Sequence, residues 1–588
     1  MTNVVQTSTF PKLTLCTEKG LYFRHNCLVD ISLLEQNITL FQGGILLTNT
    51  YFNSVSIGKL KKYTGIHQLS FRIIFFGHIK LTWKVKAIQR SDFVLQENIL
   101  NNEQLSEVII NLPFWNELTE GMLFFEVQAL DISQISSFEY VTEQPALHDV
   151  RLGIVITHFN QQQILLPAIE RLKNGLFNND VLKSKISICV IDNSQNLPEI
   201  EGIEVIKNPN LGGSGGFSRG LVYYQHQSQF THCLFMDDDA SCEIESIRRT
   251  LFYLSYTENT NLAILGAMLR ECEQNMQHES GGVFNGLCRS VKSHFNLLMT
   301  EDILLNEIEE RIDYGAWWFF AFPISKVKYL SFPYFVRGDD ISFSLANDFD
   351  LLTVNGICSW QVDFAYKAGP IQLYLDQRNH IMHFLHGLVL NTSKKMFLKT
   401  SLILFILNAL SYQYESAKAC TIALQDILKG PDFWRDNIDM LEKRKEIASI
   451  TKREKIRAIP LDLQKRAVRG KPHENNLTKI IRMLSLNGHL IPSVFFSSKP
   501  IWQYKHYGVR LREVFLHKEV IYFTDIGSED GIVLKHSKKM FFSCLWSHFI
   551  AVVRLCKNAR KLRREYIATY PELTSEKFWQ KQFDRIDI

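Results

Sequence analysis

Three acids in a row, Asp237-Asp238-Asp239, follow the apolar run Cys233-Leu-Phe-Met236. Adjacent carboxylates repel one another unless a cation lies among them, and hard divalent ions prefer carboxylate oxygens. In isolation such a triplet reads equally well as a solvated turn. A buried strand in front of it turns the reading towards a metal site. A second feature, Asn208-Pro-Asn210-Leu-Gly212-Gly213-Ser-Gly215-Gly216-Phe-Ser-Arg219-Gly220, lets backbone approach a ligand closely, with a helix N-terminus behind it that favours anions. It lacks the Gly-Lys-Ser/Thr ending of a P-loop, and alone it reads as a flexible turn. Arg219 is a candidate phosphate contact. Asp192, which ends Ile186-Ser-Ile-Cys-Val-Ile, offers an acceptor of the kind a uridine N3–H requires.

These residues need a scaffold that gathers strand ends. Arg151-Leu-Gly-Ile-Val-Ile-Thr157-His-Phe-Asn160, Ile186 to Ser194, Ile203 to Ile206 and Cys233 to Met236 are short apolar runs that end in polar residues. Continuous apolar runs of this length suit strands buried on both faces of a parallel sheet. Helical spacing from Ile164 to Leu176 separates the first two. Strand, helix, strand, glycine loop, helix, strand is the rhythm of a nucleotide-binding α/β sheet, whose ligands sit beyond the carboxyl ends of the strands.

A chain of 588 residues exceeds a single hydrophobic core and implies several domains. Residues 1–148 contain short alternating runs such as Leu69 to Phe76, Ile79 to Val85 and Met122 to Val127, separated by Gly, Asn or Asp. They predict a β-sandwich of the jelly-roll kind. Trp83 or Trp115 could hold sugar there if exposed, although aromatics in such modules are more often core. Residues 149–395 carry the α/β pattern, and 396–588 read as mostly helical. A 46% hydrophobic, 21% charged composition is that of a globular protein, and a net charge of +4 gives nucleic-acid binding no global support. The cysteines form no CxxC pair. There is no signal-peptide pattern and no uncharged apolar run near the length of a membrane span, so the expected compartment is the cytoplasm.

Thr157-His-Phe-Asn160, Ile191-Asp192-Asn193, the glycine-rich run and Phe235-Met-Asp-Asp-Asp239 together resemble the successive motifs of family 2 glycosyltransferases with the GT-A fold. The nearest likeness is to bacterial galactofuranosyltransferases that build cell-wall galactan. The resemblance covers roughly residues 150–390 and implies an inverting transferase that uses a UDP-sugar with Mn²⁺ or Mg²⁺. It assigns Asp237 and Asp239 to the metal and Asp238 to the donor's ribose or sugar. Thr157 and Asp192 would hold the uridine, with Asn210 and Gly213 beside the nucleotide. Tyr314-Gly-Ala-Trp317-Trp318 is similar to the family's aromatic stretch beside the acceptor, although neighbouring side chains on a strand point to opposite faces. Phe332-Pro-Tyr-Phe-Val-Arg337-Gly338-Asp339-Asp340 resembles the segment bearing the catalytic base. It gives Asp340 that role and Asp339 an acceptor contact; an Asp pair also suits a helix N-cap, and the two roles are compatible. Tyr374-Leu-Asp-Gln-Arg378-Asn379 resembles the opening of the family's next helix.

Three positions depart from that pattern. Gln161 stands where the family often has Arg, Ser342 where Glu is common, and Trp360-Gln361 where a Trp-His pair supplies a metal ligand. An amide oxygen is a harder ligand than imidazole and suits Mg²⁺ better. Asp363, His380 or His383 are the alternatives for completing the shell. The expected partners are a UDP-sugar donor and a glycan or lipid-linked glycan acceptor, and the chain is compatible with a homo-oligomer. The apolar segment Met540 to Val553, flanked by Lys538-Lys539 and by Arg554 to Arg564, predicts peripheral contact with the cytoplasmic face of the inner membrane; a buried helix with a charged exit fits the same pattern. Two alternatives remain at this stage: a rhamnosyl or pyranosyl donor on the same fold, and a non-catalytic carbohydrate-binding scaffold.

Overall fold

The period-two alternation around Phe71, Ile73 and Phe75 becomes a 17-residue strand, Ser70–Lys86. In the computed structural model, which describes residues 2–362, 369–389, 393–470, 473–504, 510–524 and 528–587, the strand Phe93–Asn111 runs along one side of it. On the other side, Ser133–Thr142 pairs with its first half and Met122–Ala129 with its second. The sheet therefore divides and folds back, and Phe125 and Phe138 from the two limbs meet at 4.9 Å. Instead of two separate sheets, the described residues form one branched antiparallel sheet of ten strands. Trp83 and Trp115 are both buried inside it, so neither offers a platform for sugar. Trp83 lies within 4.8 Å of Phe71 and 5.4 Å of Phe125. Trp83→Ala is expected to cost about 3–5 kcal/mol of stability, measured by denaturant unfolding.

The N-terminal sheet does not stand apart. Leu147 and His148 donate backbone N–H groups to the Ser255 carbonyl at 2.9 and 3.0 Å. Tyr22 and Lys12 both reach the buried Glu243 carboxylate, at 2.8 and 2.6 Å. Phe52 packs 5.8 Å from Trp360. Glu243 opens the helix Ile244–Tyr256 just after the Asp triplet, and Trp360 precedes Gln361, so this packing braces both sides of the acidic cluster.

The α/β segment delivers the expected sheet. Glu204–Lys207, Ile186–Asp192, Leu152–His158 and His232–Asp237 lie side by side in that order and are mutually parallel. Antiparallel Phe320–Pro323 follows, then Leu262–Arg270, with Gln277–Glu279 and Asp350–Gln361 on the latter. The register sets Thr157 against Asp237 and His158 against Asp192. The polar ends of three strands thus share one edge.

The C-terminal part adds a small sheet to the expected helices. Helices Lys394–Leu410, Tyr414–Ile427 and Lys538–Leu573 are present, but so is a mixed five-stranded sheet ordered Arg457–Ala458, Asp530–Lys535, Glu519–Phe523, Ile501–Tyr504 and Val468–Arg469. Two of its strands are two residues long and lie in charge-rich sequence, where no alternation could register. By length and composition alone, Lys538–Leu573 is a helix able to cross a membrane. Its Phe541, His548, Leu555, Tyr566 and Tyr570 stripe is nevertheless packed in the interior. The short helix behind it, Glu576–Phe583, returns to the α/β segment: Trp579 Nε1 donates to the Ser331 carbonyl at 2.8 Å.

Candidate active site

Asp237 is the last residue of its strand, and Ala240 N–H closes a turn onto its carbonyl. Ser241 then exchanges two backbone hydrogen bonds with Trp360, at 3.1 and 2.7 Å. That short bridge carries Gln361 to the acids. The buried Gln361 amide donates to Asp237 Oδ2 at 3.3 Å and to Asp239 Oδ1 at 3.0 Å. Two carboxylates and an amide therefore converge. A half-turn of the amide about its last bond would present oxygen instead of nitrogen, giving an all-oxygen donor set suited to a hard divalent ion. Among the described residues, no group of three His, Cys, Asp or Glu side chains is placed to hold a metal. His380 faces Cys288 at 3.4 Å and His383 faces Tyr334 at 3.3 Å, so neither completes this shell. Asp363 lies outside the described residues.

On the nucleotide side, the strand ends are cross-linked. Asp238 Oδ2 accepts the Phe159 N–H at 3.0 Å and lies 3.3 Å from His158 Nδ1, which ties the triplet to the Thr157-His-Phe-Asn160 segment. Asp192 departs from its expected role. Its carboxylate is fully buried and accepts N–H bonds from Ser194, Gln195 and Leu197 at 3.0, 2.9 and 2.8 Å. Those bonds shape the loop after the strand and engage both carboxylate oxygens. Asn193 links that loop to the glycine run, donating to the Gly212 carbonyl and accepting from Asn208 at 2.8 Å. The glycine run is itself the start of a helix, Gly212–Gln225, and not a loop ahead of one. Gly212 has φ +68°, and a Cβ there would overlap the Phe335 carbonyl oxygen. A Cβ at Gly216 would strike Thr157, so the glycines serve close helix–strand packing. Asn210 caps the turn by accepting the Gly212 N–H at 3.2 Å. Gly213 stays partly open, and a Cβ there would lie 3.2 Å from Asp339 Oδ2. Arg219 points elsewhere: its guanidinium sits 4.8 Å over the Phe583 ring, so it is not placed for phosphate.

The second acid pair begins the helix Asp339–Asn347, after a loop in which Phe335, Arg337 and Gly338 all have φ between +68° and +81°. Two non-glycine residues in left-handed conformations cost of order 1–3 kcal/mol each and persist only where the surroundings hold them. The helix Pro370–Leu385 supplies that hold. Arg378 donates to the Tyr334 carbonyl at 2.6 Å and stacks 4.4 Å from the Trp434 ring, while Asn379 donates to the carbonyls of Val336 and Arg337. Asn379→Ala is expected to lower turnover by about tenfold or more through misplacement of Asp340, with a modest loss of melting temperature. A steady-state assay beside thermal unfolding separates the two effects.

The two acids differ in environment. Asp339 is buried and accepts from Ser214 Oγ at 3.1 Å, on the first turn of the glycine helix. Burial, and then the Asp340 charge, hold its carboxyl well above the usual range. It binds the two helices together and has little surface for an acceptor. Asp340 keeps part of its surface open and accepts its neighbour's Ile341 N–H at 2.8 Å. Burial raises its carboxyl to about 6, with backbone N–H groups and Arg337 restraining the rise. A carboxyl poised there is mostly ionised at neutral pH yet basic enough to take a proton.

Neither tryptophan is the open platform that the sequence suggested. Trp317 is 5% exposed, edge-on to Phe217, Phe235 and Phe343, and Trp318 is 6% exposed with Nε1 bonded to the Gly266 carbonyl at 2.9 Å. One residue that the sequence did not mark is Glu279, at the end of the edge strand Gln277–Glu279. It is buried, accepts from Ser290 Oγ at 2.6 Å, and its carboxyl is pushed up to about 7 by burial and, after the opposing effect of that hydrogen bond, by the Asp340 charge. No motif surrounds it; only the fold brings it near the acid pair.

No family model matches the chain. Over 353 residues it is 23% identical to galactofuranosyltransferase GlfT2 of Mycolicibacterium smegmatis, covering 53% of this chain and 52% of that protein. Galactofuranosyltransferase GlfT2 of Mycobacterium tuberculosis is 23% identical over 372 residues, 57% of each. The sequence kinship with galactofuranosyltransferases that the motifs implied is therefore real, although the chain spans little more than half the length of the curated relatives it matches. Among solved structures, S. aureus TarS 1-349 aligns at a TM-score of 0.28 and 12% identity, over 53% of this chain and 94% of that one. GalNAc-T7 with UDP, GalNAc and Mn²⁺ aligns at 0.29 and 13%, over 51% and 57%. Scores this low support neither fold nor function.

Proposed function

We propose that this chain is a metal-dependent, inverting glycosyltransferase that moves galactofuranose from UDP-galactofuranose onto a growing surface glycan. The carrying observation is Asp340: a partly open carboxyl, raised to about 6 and presented by a clamped left-handed loop. The loop joins, through Asp339 and Ser214, the helix that packs beside the acidic strand ends. Kinship with the two GlfT2 proteins supports the galactofuranose donor.

In this reading Asp340, ionised, takes the proton from the acceptor hydroxyl as its oxygen attacks the sugar's anomeric carbon opposite the leaving diphosphate. Asp237 and Asp239, with the Gln361 amide oxygen, would hold a Mn²⁺ or Mg²⁺ ion, which would supply positive charge to offset that of the leaving diphosphate. Thr157, Asp238, Asn210 and Gly213 line the nucleotide side, and Asp192 acts behind them by shaping the loop. Trp317 and Trp318 set the floor from within the core. The proposed setting is the cytoplasmic face of the inner membrane.

Purified protein with Mn²⁺ or Mg²⁺ and a panel of UDP- and dTDP-sugars tests the reaction. Turnover of UDP-galactofuranose supports the full reading. Turnover of another donor keeps the mechanism and retires the galactofuranose assignment, and no turnover with any donor favours a carbohydrate-binding protein.

A further inference from the structure

The backbone bridge between Ser241 and Trp360 sets how Gln361 meets Asp237 and Asp239, and both of its sides are gripped from the N-terminal part of the chain. On one side, Glu243 lies two residues beyond Ser241 and is fully buried. One of its carboxylate oxygens accepts from the Tyr22 hydroxyl at 2.8 Å and the other from Lys12 Nζ at 2.6 Å. On the other side, Trp360 Nε1 donates to the Gln274 carbonyl at 3.0 Å. The Gln274 side chain reaches back to the N-terminal part: its Nε2 donates to the Leu15 carbonyl at 2.9 Å, and its Oε1 accepts the Thr17 N–H at 3.2 Å. The Tyr22 ring stacks 4.7 Å from Phe52, which in turn packs against Trp360. Residues 12–22 therefore hold both flanks of the bridge at once.

The segment that makes these contacts is itself fixed. Lys12 N–H bonds the Cys16 carbonyl at 2.8 Å, closing a tight loop, and Thr50 and Asn53 donate to the Tyr22 carbonyl at 2.7 and 2.8 Å. Cohesion between the two parts of the chain does not require this arrangement. Apolar side chains of similar size would join them without taking the Glu243 carboxylate out of water. Polar contacts add direction, because a hydrogen bond fixes distance and angle where apolar packing does not. Here that direction is spent on the residues next to Ser241 and Trp360.

We infer that residues 12–22 are a positioning clasp for the cation site. Acting through Glu243 and Gln274, they hold the bridge so that Gln361 meets the two carboxylates. The inference rests on the metal site in the functional reading, and its test reads metal binding without turnover.

Mn²⁺ is titrated into the full chain, alone and with UDP, and the free ion is counted by its electron paramagnetic resonance signal. Wild type is compared with Gln274→Leu, which deletes both side-chain links to the loop, and with Lys12→Met and Lys12→Arg. Lys62→Ala is the control, since it breaks an exposed 2.6 Å pair with Glu309 between the same two parts of the chain. Thermal unfolding checks that each protein is folded at the titration temperature. Tyr22→Phe, which keeps the ring stack and deletes only the hydroxyl, repeats the test should Lys12→Met fail to fold. Gln274→Leu and Lys12→Met should each weaken Mn²⁺ binding by about tenfold or more, the usual cost of losing a group that orients metal ligands. Lys12→Arg and Lys62→Ala should bind as wild type does. The sign at Lys12 is decisive: by charge alone, removing a cation would favour a bound divalent ion, whereas a clasp predicts the reverse. Unchanged or tighter binding in the folded variants overturns the clasp and leaves cohesion as its only role. Equal weakening in Lys62→Ala overturns it too, because any loosened contact would then suffice. A wild type that binds no Mn²⁺ overturns the metal site, and the clasp with it.

Discussion

Replacing Asp340 by Asn is expected to lower the transfer rate by about 10²–10⁴-fold, the usual contribution of a positioned general base. UDP affinity should remain unchanged. Asn keeps an Oδ1 acceptor for the Ile341 N–H, so the start of the Asp339–Asn347 helix is preserved and only the ionisable oxygen is lost. In the wild type the rate should fall as pH drops through about 6, because the neutral carboxyl cannot accept a proton. That limb should vanish from the residual activity of the variant. Stability carries the opposite sign. A raised carboxyl is protonated more readily in the folded than in the unfolded chain, so ionising Asp340 destabilises the fold as pH rises towards and past 6. The variant should therefore be no less stable than wild type above that pH. An unchanged rate in Asp340→Asn, with normal stability, would leave the pair as a helix cap alone.

The sheet was legible because its strands are short apolar runs with polar ends, a local signal that tertiary context reinforces. Asp237, Asp239 and Gln361 converge because the strands that end at Asp237 and Gln361 bring their ends to one side of the mixed sheet. What was not legible depends on direction. Asp192 sits at the right strand end, but whether a carboxylate faces a ligand or its own loop depends on backbone turns several residues on. Arg219 lies in the right segment, yet its side chain meets Phe583 from a part of the chain more than 350 residues away in sequence. Strand alternation requires only that at least one of the adjacent tryptophans be core; the strand after them is covered on both faces, and both are enclosed. Glu279 had no sequence signal, because its significance arises from Asp340 across the fold.

The second large effect is expected at Asp237. With its carboxylate removed by Asp237→Ala, only Asp239 and the Gln361 amide remain of the three converging groups. A divalent ion at a diphosphate contributes several kcal/mol of charge stabilisation, so loss of its main anchor should cost roughly 10³-fold in transfer. Binding offers a readout independent of turnover: in calorimetry, Mn²⁺ should tighten UDP binding to wild type and leave the variant indifferent. Gln361→His tests the same geometry in the other direction. In the wild type the amide nitrogen bridges both carboxylates, and that contact must yield before the amide oxygen can face a cation. A neutral imidazole brings a borderline-soft donor with no such rearrangement, so the variant should bind Mn²⁺ more tightly and prefer it over Mg²⁺. If Asp237→Ala retains Mn²⁺-dependent UDP binding, the carboxylate pair is not the metal site, and the solvated-turn reading of the triplet returns. If Asp237→Ala loses that binding while Gln361→His leaves metal preference untouched, the amide is a spacer between the acids and not a ligand.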